Sequence, residues 1–251
     1  MIPKIIHYCW FGPNPKSDIA KKCLESWKAY CPDYEFKEWT EATISTFENK
    51  FVKDALRKKK YAFASDRVRV QALYYYGGVY MDLDMLLLKP IDALLHFDFF
   101  TGYEVKDRAA YGIFGAIPQH RLIKKMVQFY EENYFNQFSL PVITHTFKSI
   151  VHESGLLSNE RIFEPNVFYA LKYEDREKQY QDFVTRTSYA VHLWDHSWAS
   201  SKTESWSMLV SNLRIVLSDY LFHAYPYAYF KRYFKEYSRK LYHKLIGTKS
   251  V

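Results

Sequence analysis

Residues 62–84 read AFASDRVRVQALYYYGGVYMDLD, and the way this stretch changes character decides the fold. Ala62 to Tyr76 has helical composition and stops at Gly77-Gly78, residues that accept the left-handed backbone on which helices end. Val79 to Met81 then reads as a short apolar strand that delivers Asp82. On an extended segment Asp82 and Asp84, two residues apart, face the same side. Two carboxylates among apolar neighbours repel unless something positive sits with them; a divalent metal or an arginine meets that need. Oxygen donors suit the hard ions Mg²⁺ and Mn²⁺, which bind phosphate oxygens in their remaining positions. Asp66 and Arg69 are three apart on the predicted helix and share a face, while Arg67 points elsewhere. One helix–glycine–strand unit therefore brings Asp66, Arg69, Asp82 and Asp84 to one cleft.

Working outward, Lys4 to Trp10 reads as a buried strand closed by Gly12-Pro13. Ser17 or Asp18 caps a helix running to Tyr30, and Tyr34 to Trp39 alternates as a second strand. Thr40 is expected to cap a helical stretch that ends in the basic run Arg57 to Lys60. Beyond the central unit, Leu86–Leu88, Phe97–Tyr103, Tyr111–Ile117 and Tyr189–Trp194 read as strands. His120–Tyr134 reads as a helix, and Pro141–His152 as a shorter helix or loop. Ser205–Tyr220 and Pro226–Leu245 read as two late helices. Alternating strands and helices in the first half favour a layered α/β fold.

Three stretches together resemble the DxD glycosyltransferases of family 32, which include yeast-type mannosyltransferases and capsular or surface-polysaccharide transferases, with a distant relation to the clostridial glucosylating toxins. They are Ala64-Ser65-Asp66-Arg67-Val68-Arg69 followed by Leu73 to Asp84, the opening Ile2 to Gly12, and the late Tyr189-Ala190-Val191-His192-Leu193-Trp194-Asp195-His196-Ser197-Trp198. The resemblance implies a GT-A type, Rossmann-like fold that binds a nucleotide sugar. It places Trp10 on the base, with the alternative that Trp10 is a core residue. It places Ser65, Asp66 and Arg69 at the ribose and donor sugar, and Tyr80 in the donor pocket. Asp82 falls nearer the ribose and sugar, and Asp84 is the direct ligand of Mn²⁺ or Mg²⁺. His192 or His196, with Ser197 and Trp198, matches the element closing over the metal and diphosphate. Retention of the donor's anomeric configuration is also implied. The expected donor is a UDP-sugar ahead of GDP-mannose, and the expected acceptor is a glycan or lipid-linked saccharide of the kind used in capsule synthesis.

Two other readings compete. A phosphohydrolase can carry DxD at a strand end, but its motif opens the domain, whereas 81 residues precede Asp82 here. A non-catalytic polysaccharide-binding protein at a membrane surface would not need both acids intact. A nucleic-acid binder is disfavoured, since no recognised motif is present and the basic residues are confined to the tail: of the net charge of +7, almost all sits after Tyr220. From Leu221 to Val251 there are seven Lys or Arg against one acid, Glu236, interleaved with aromatics. The expected organisation is therefore a catalytic domain over 1–220 and a basic aromatic helical appendage over 221–251. That appendage suits an anionic membrane. Three cysteines near the N-terminus, Cys9, Cys23 and Cys31, form no CxxC pair and fit a reducing compartment. With neither a signal-peptide pattern nor an apolar stretch of spanning length, the expectation is a cytoplasmic protein in peripheral contact with the inner face of the plasma membrane.

Overall fold

The computed structural model describes residues 1–135 and 143–195, and within 210–245 the helix Tyr227–Leu245 and scattered residues before it. The chain separates into two compact units, one of residues 1–132 and 142–198, the other of residues 133–141 and 199–251.

The first unit is built on a six-stranded sheet in the order β2-β1-β3-β6-β5-β7. Its strands are β1 (Ile5–Cys9), β2 (Glu35–Trp39), β3 (Gly78–Met81), β5 (Phe99–Val105), β6 (Arg108–Ala116) and β7 (Glu160–Phe163). Only β6 runs against the others. A second, two-stranded sheet pairs β4 (Met85–Leu87) antiparallel with β8 (Ala190–His192). The helices are α1 (Asp18–Tyr30), α2 (Lys50–Arg57), α3 (Tyr61–Tyr76), α4 (Arg121–Glu132), α5 (Ile143–Ser154) and the single turn α6 (Pro165–Phe168). The layered α/β arrangement expected from the sequence is present.

From β1 the chain crosses through α1 to β2 on one side, then returns through α2 and α3 to β3 on the other. Strand order thus reverses at β1, and the carboxyl ends of β1 and β3 lie side by side there. Ligands of open α/β sheets sit in such a crevice. Trp10 follows the end of one of these strands and Asp82 the end of the other.

The Gly77-Gly78 turn makes this placement possible. Gly77 has φ +63° and caps α3, its N–H returning to the Leu73 carbonyl. Gly78 has φ +99°, and a Cβ on it would lie 2.6 Å from the Ile5 carbonyl oxygen. Only glycine lets α3 double back into a strand packed this tightly against β1. His7 seals the same junction: its Nε2 donates to the Gly77 carbonyl at 2.8 Å, and Trp39 Nε1 lies 3.3 Å from Nδ1. His7 is fully buried, and burial lowers its pKa to about 4. It is a neutral structural histidine.

Two expectations need correction. Thr40 does not begin a helix. The Thr43 hydroxyl accepts from the Thr40 N–H and donates to the Glu38 carbonyl, closing a turn. Asn49 instead caps α2, accepting from the Val52 N–H at 3.0 Å. Strand β7 was not expected, because Glu160 and Arg161 break the apolar alternation. Glu160 is nonetheless buried, since Arg121 and His120 both reach its carboxylate. The helix expected over 205–220 falls mostly outside the described residues. That expected over 226–245 is seen as α7 (Tyr227–Leu245).

Candidate active site

Helix α3 is buried on most of its surface, charged residues included: Asp66, Arg67 and Arg69 are all interior. A buried guanidinium needs anionic or carbonyl partners. Arg69 Nη1 donates to the Tyr111 carbonyl at 2.8 Å and to Asp82 Oδ2 at 3.4 Å. Its Nη2 lies 3.2 Å from Asp82 Oδ1 and 3.1 Å from Asp66 Oδ1. The guanidinium also lies over the Tyr80 ring, 4.5 Å from its centroid, and the Tyr80 hydroxyl donates to Asp82 Oδ1 at 3.0 Å. Arg69 thus clamps two carboxylates with one fork. Burial, with the Asp84 charge adding, raises the Asp82 pKa against the pull of Arg69. Burial pushes Asp66 up to about 7, again opposed by Arg69.

Asp84 has a different environment. Its Oδ2 lies 3.0 Å from His192 Nε2 and accepts from the Asp195 backbone N–H at 3.0 Å. Burial alone would raise this carboxyl, but the His192 charge and hydrogen bond, with the Asp195 amide, hold it below the ordinary carboxylate range. The same pair raises His192 despite its burial. Asp82 and Asp84 therefore face unlike partners: an arginine that is always charged, and a histidine whose protonation is tied to one carboxylate.

The frame around Asp84 is braced from α1 and β8. Register in the small sheet sets His192 opposite Met85. Trp27 of α1 donates its indole N–H to the Met85 carbonyl at 2.6 Å. Ser17, the N-cap of α1, accepts from the Ala20 N–H and donates its hydroxyl to Asp195 Oδ2. Trp194 has φ +57°, costly for a bulky residue. That turn brings the Asp195 amide back onto Asp84, while the Trp194 indole donates to the Leu171 carbonyl at 2.9 Å. The Trp194 ring lies against His192, centroids 4.0 Å apart.

Asp66, Arg69, Tyr80 and Asp82 are thus one contact group, and Asp84 with His192 another beside it. Ser65 stands at the edge of the first, its carbonyl 3.4 Å from Arg69 Nε. Trp10 is partly buried beyond β1, its indole donating to the Asn14 carbonyl at 2.8 Å. His196, Ser197 and Trp198 lie outside the described residues. Sequence reasoning assigned no role to Asp195 or Trp194, although both stand inside the late motif; Ser17 was expected, with Asp18 as the alternative, to cap α1, and it does, but its bond to Asp195 was not expected. Sequence reasoning also missed Tyr169, whose ring meets His192 edge-on at 5.8 Å. No motif marks Tyr169. Asp82, the first acid of the DxD that the phosphohydrolase reading would use, is held by Arg69 and Tyr80. Among the described residues no group of three or more His, Cys, Asp or Glu surrounds a metal position. Asp84 and His192 are a pair that fits one, because Mg²⁺ and its like are usually held by one or two carboxylates plus substrate phosphates.

Residues 17–101 match the glycosyltransferase sugar-binding region containing the DXD motif. Human alpha-1,4-N-acetylglucosaminyltransferase is 26% identical over 148 residues, 53% of this chain and 42% of that protein. Inositol phosphoceramide mannosyltransferase 2 of Schizosaccharomyces pombe is 27% identical over 171 residues, 65% of this chain and 47% of that one. The chain thus spans less than half the length of these curated relatives. Among solved structures, the PaToxG glycosyltransferase superposes with a TM-score of 0.51 at 19% identity, covering 61% of this chain and 69% of that one. The fold is of the GT-A type.

Proposed function

We propose that this chain, which carries the DXD-containing sugar-binding region of the glycosyltransferases, transfers a hexose from a nucleotide sugar to a hydroxyl of a glycan or lipid-linked saccharide, with retention of anomeric configuration. The observation that carries this reading is the division of labour within Asp82-Leu83-Asp84. Asp82 is neutralised from inside the protein by Arg69, whereas Asp84 is kept ionised and meets His192 and Asp195 with one oxygen only.

In this reading Asp84 and His192 would hold Mn²⁺ or Mg²⁺. Such an ion, when bound, neutralises the diphosphate leaving group. Arg69 fixes Asp82 and Asp66 so that their remaining lone pairs accept from ribose or sugar hydroxyls. Asp66, near neutrality in pKa, can also donate when protonated. Trp10 offers its ring to the base. One of the relatives named above is an inositol phosphoceramide mannosyltransferase, so the acceptor class proposed is broader than capsular saccharides. Calorimetric titration of UDP and of GDP, each with Mn²⁺ and with EDTA, tests the reading. Metal-dependent binding is expected, with UDP the tighter; absence of binding by either nucleotide would sink it.

The second unit supports a peripheral membrane contact on the cytoplasmic face. Along α7 the rings of Tyr227, Phe230, Phe234 and Tyr237 follow one another at 6.2 to 6.4 Å. Exposed Lys231 and Lys235 stand one position on from Phe230 and Phe234, and exposed Arg239 two positions on from Tyr237. Aromatic and basic stripes side by side suit an anionic interface. Among the described residues no helix is long and apolar enough to cross a membrane.

A further inference from the structure

A histidine that binds a metal through one ring nitrogen is normally fixed by a hydrogen bond at the other, which sets the plane of the ring. His192 lacks that second bond. Its Nε2 lies 3.0 Å from Asp84 Oδ2, but its Nδ1 is buried and has no hydrogen-bond partner among the described residues. One contact at Nε2 leaves the imidazole free to swing about it. Packing must therefore set the ring plane, and two rings stand against it. The Trp194 ring lies at 4.0 Å between centroids, tilted by 51°. The Tyr169 ring meets the imidazole edge-on, at 5.8 Å and 86°.

Both rings are anchored on one short segment. The Trp194 indole donates to the Leu171 carbonyl at 2.9 Å. Tyr169 is itself buried, and its hydroxyl accepts from the Ile113 N–H of β6 at 3.2 Å. Its backbone N–H donates to the Pro165 carbonyl at 2.7 Å, closing α6, and the Tyr189 N–H donates to the Val167 carbonyl at 2.8 Å. The segment is thus pinned to the main sheet through β6 and to the chain that leads into β8. Gly112 makes room for the hydroxyl: a Cβ there would lie 3.2 Å from it and 3.4 Å from Asp82 Oδ2. Tyr169 therefore runs as a strut from the β6 backbone, beside Asp82, to the His192 imidazole.

We propose that Tyr169 is a positioning residue that acts through His192: its ring edge, together with Trp194, holds the imidazole in the plane from which it can meet a divalent cation beside Asp84. That the held ring serves an ion rests on the transferase reading; that Tyr169 holds it rests on the contacts alone. The aromatic edge is the working part and the hydroxyl its anchor. Phe should therefore stand in for Tyr, whereas Leu, apolar but without a ring, should not.

The test is NMR on the full chain with isotope-labelled histidine, the His192 Cε1–H resonance being assigned by its disappearance in His192→Ala. The nearby Trp194 ring displaces that resonance. It should stay in place in Tyr169→Phe and move towards the position of a free histidine in Tyr169→Leu. Mn²⁺ affinity is measured in parallel by electron paramagnetic resonance with UDP present. Tyr169→Leu and His192→Ala should each weaken it by about tenfold or more, the usual cost of losing a group that orients a metal-binding histidine. The double variant should be no weaker than His192→Ala alone, because Tyr169 then has nothing to act through. An unmoved resonance in Tyr169→Leu, an equal displacement in Tyr169→Phe, or additive losses in the double variant would each overturn the positioning role. A displaced resonance in Tyr169→Leu with Mn²⁺ affinity untouched in His192→Ala would keep that role and remove His192 from the metal reading.

Discussion

Arg69 and Asp82 lie thirteen residues apart, yet the guanidinium meets both carboxylate oxygens, at 3.2 Å and 3.4 Å, while also holding Asp66 and the Tyr111 carbonyl. The arginine is interior, so its charge has no water to fall back on. Replacing it by Leu leaves two buried carboxylates without their cation. Breaking a buried pair from one side costs about 3–5 kcal/mol. Urea unfolding of Arg69→Leu should show a loss of that order. A loss under about 1 kcal/mol would mean that the clamp contributes little to the fold.

Asp84 is expected to behave differently from Asp82, because its contacts are local to β4 and β8. Asp84→Ala should lower turnover by at least about a hundredfold, since metal charge stabilisation is worth several kcal/mol. UDP binding should also become indifferent to Mn²⁺ and EDTA. Wild-type turnover in this variant would remove Asp84 from the metal site.

Acid should weaken the fold at the His7 junction. Burial holds His7 near 4 in the folded chain, below its ordinary 6.5. The unfolded chain therefore takes the proton first as pH falls. The contribution is intact above about 6.5 and is lost progressively down to about 4, amounting to about 3 kcal/mol. Stability measured against pH should show that slope. In His7→Gln the slope over this window should flatten, and an unchanged slope would assign it to other groups.

The tail prediction is independent of the chemistry. Full-length protein should sediment with vesicles containing phosphatidylserine and not with neutral phosphatidylcholine, and raised salt should release it. A chain lacking residues 226–251 should stay in the supernatant with UDP affinity unchanged. Sedimentation of the shortened chain, or none by the full one, would rule out docking through α7.

Much of the first half was legible because its signals are local. Gly77-Gly78 needs positive φ wherever it occurs, and the i, i+3 spacing of Asp66 and Arg69 puts them together on any helix. The pairing of Arg69 with Asp82 was foreseeable only as an alternative, since like charges at that spacing call for a cation without saying which. The structure supplies a guanidinium at one acid and a histidine at the other. Less legible were contacts spanning most of the chain. Asp195 reaches Asp84 through its backbone amide, and a backbone donor leaves no mark on residue type. The left-handed Trp194 that aims this amide is a conformation its sequence gives no reason to expect. Strand β7 was hidden for a related reason: Glu160 looks solvated until Arg121, from a distant helix, is placed beside it.

The split provision for the two acids also sets an order of assembly on the ribosome. Everything that Asp82 needs from side chains, Arg69 and Tyr80, has been synthesised by the time Asp82 itself is made. Asp84 must wait for a residue 111 positions later. At roughly 5–20 residues per second, that interval is on the order of ten seconds. During it the nascent chain carries one finished half-site and one bare carboxylate, and β4 has no ladder partner until β8 is made. The frame around Asp84 is thus incomplete until translation has passed residue 195, so an N-terminal fragment that folded around α3 and β3 would hold the arginine clamp without His192 and Asp195 beside Asp84.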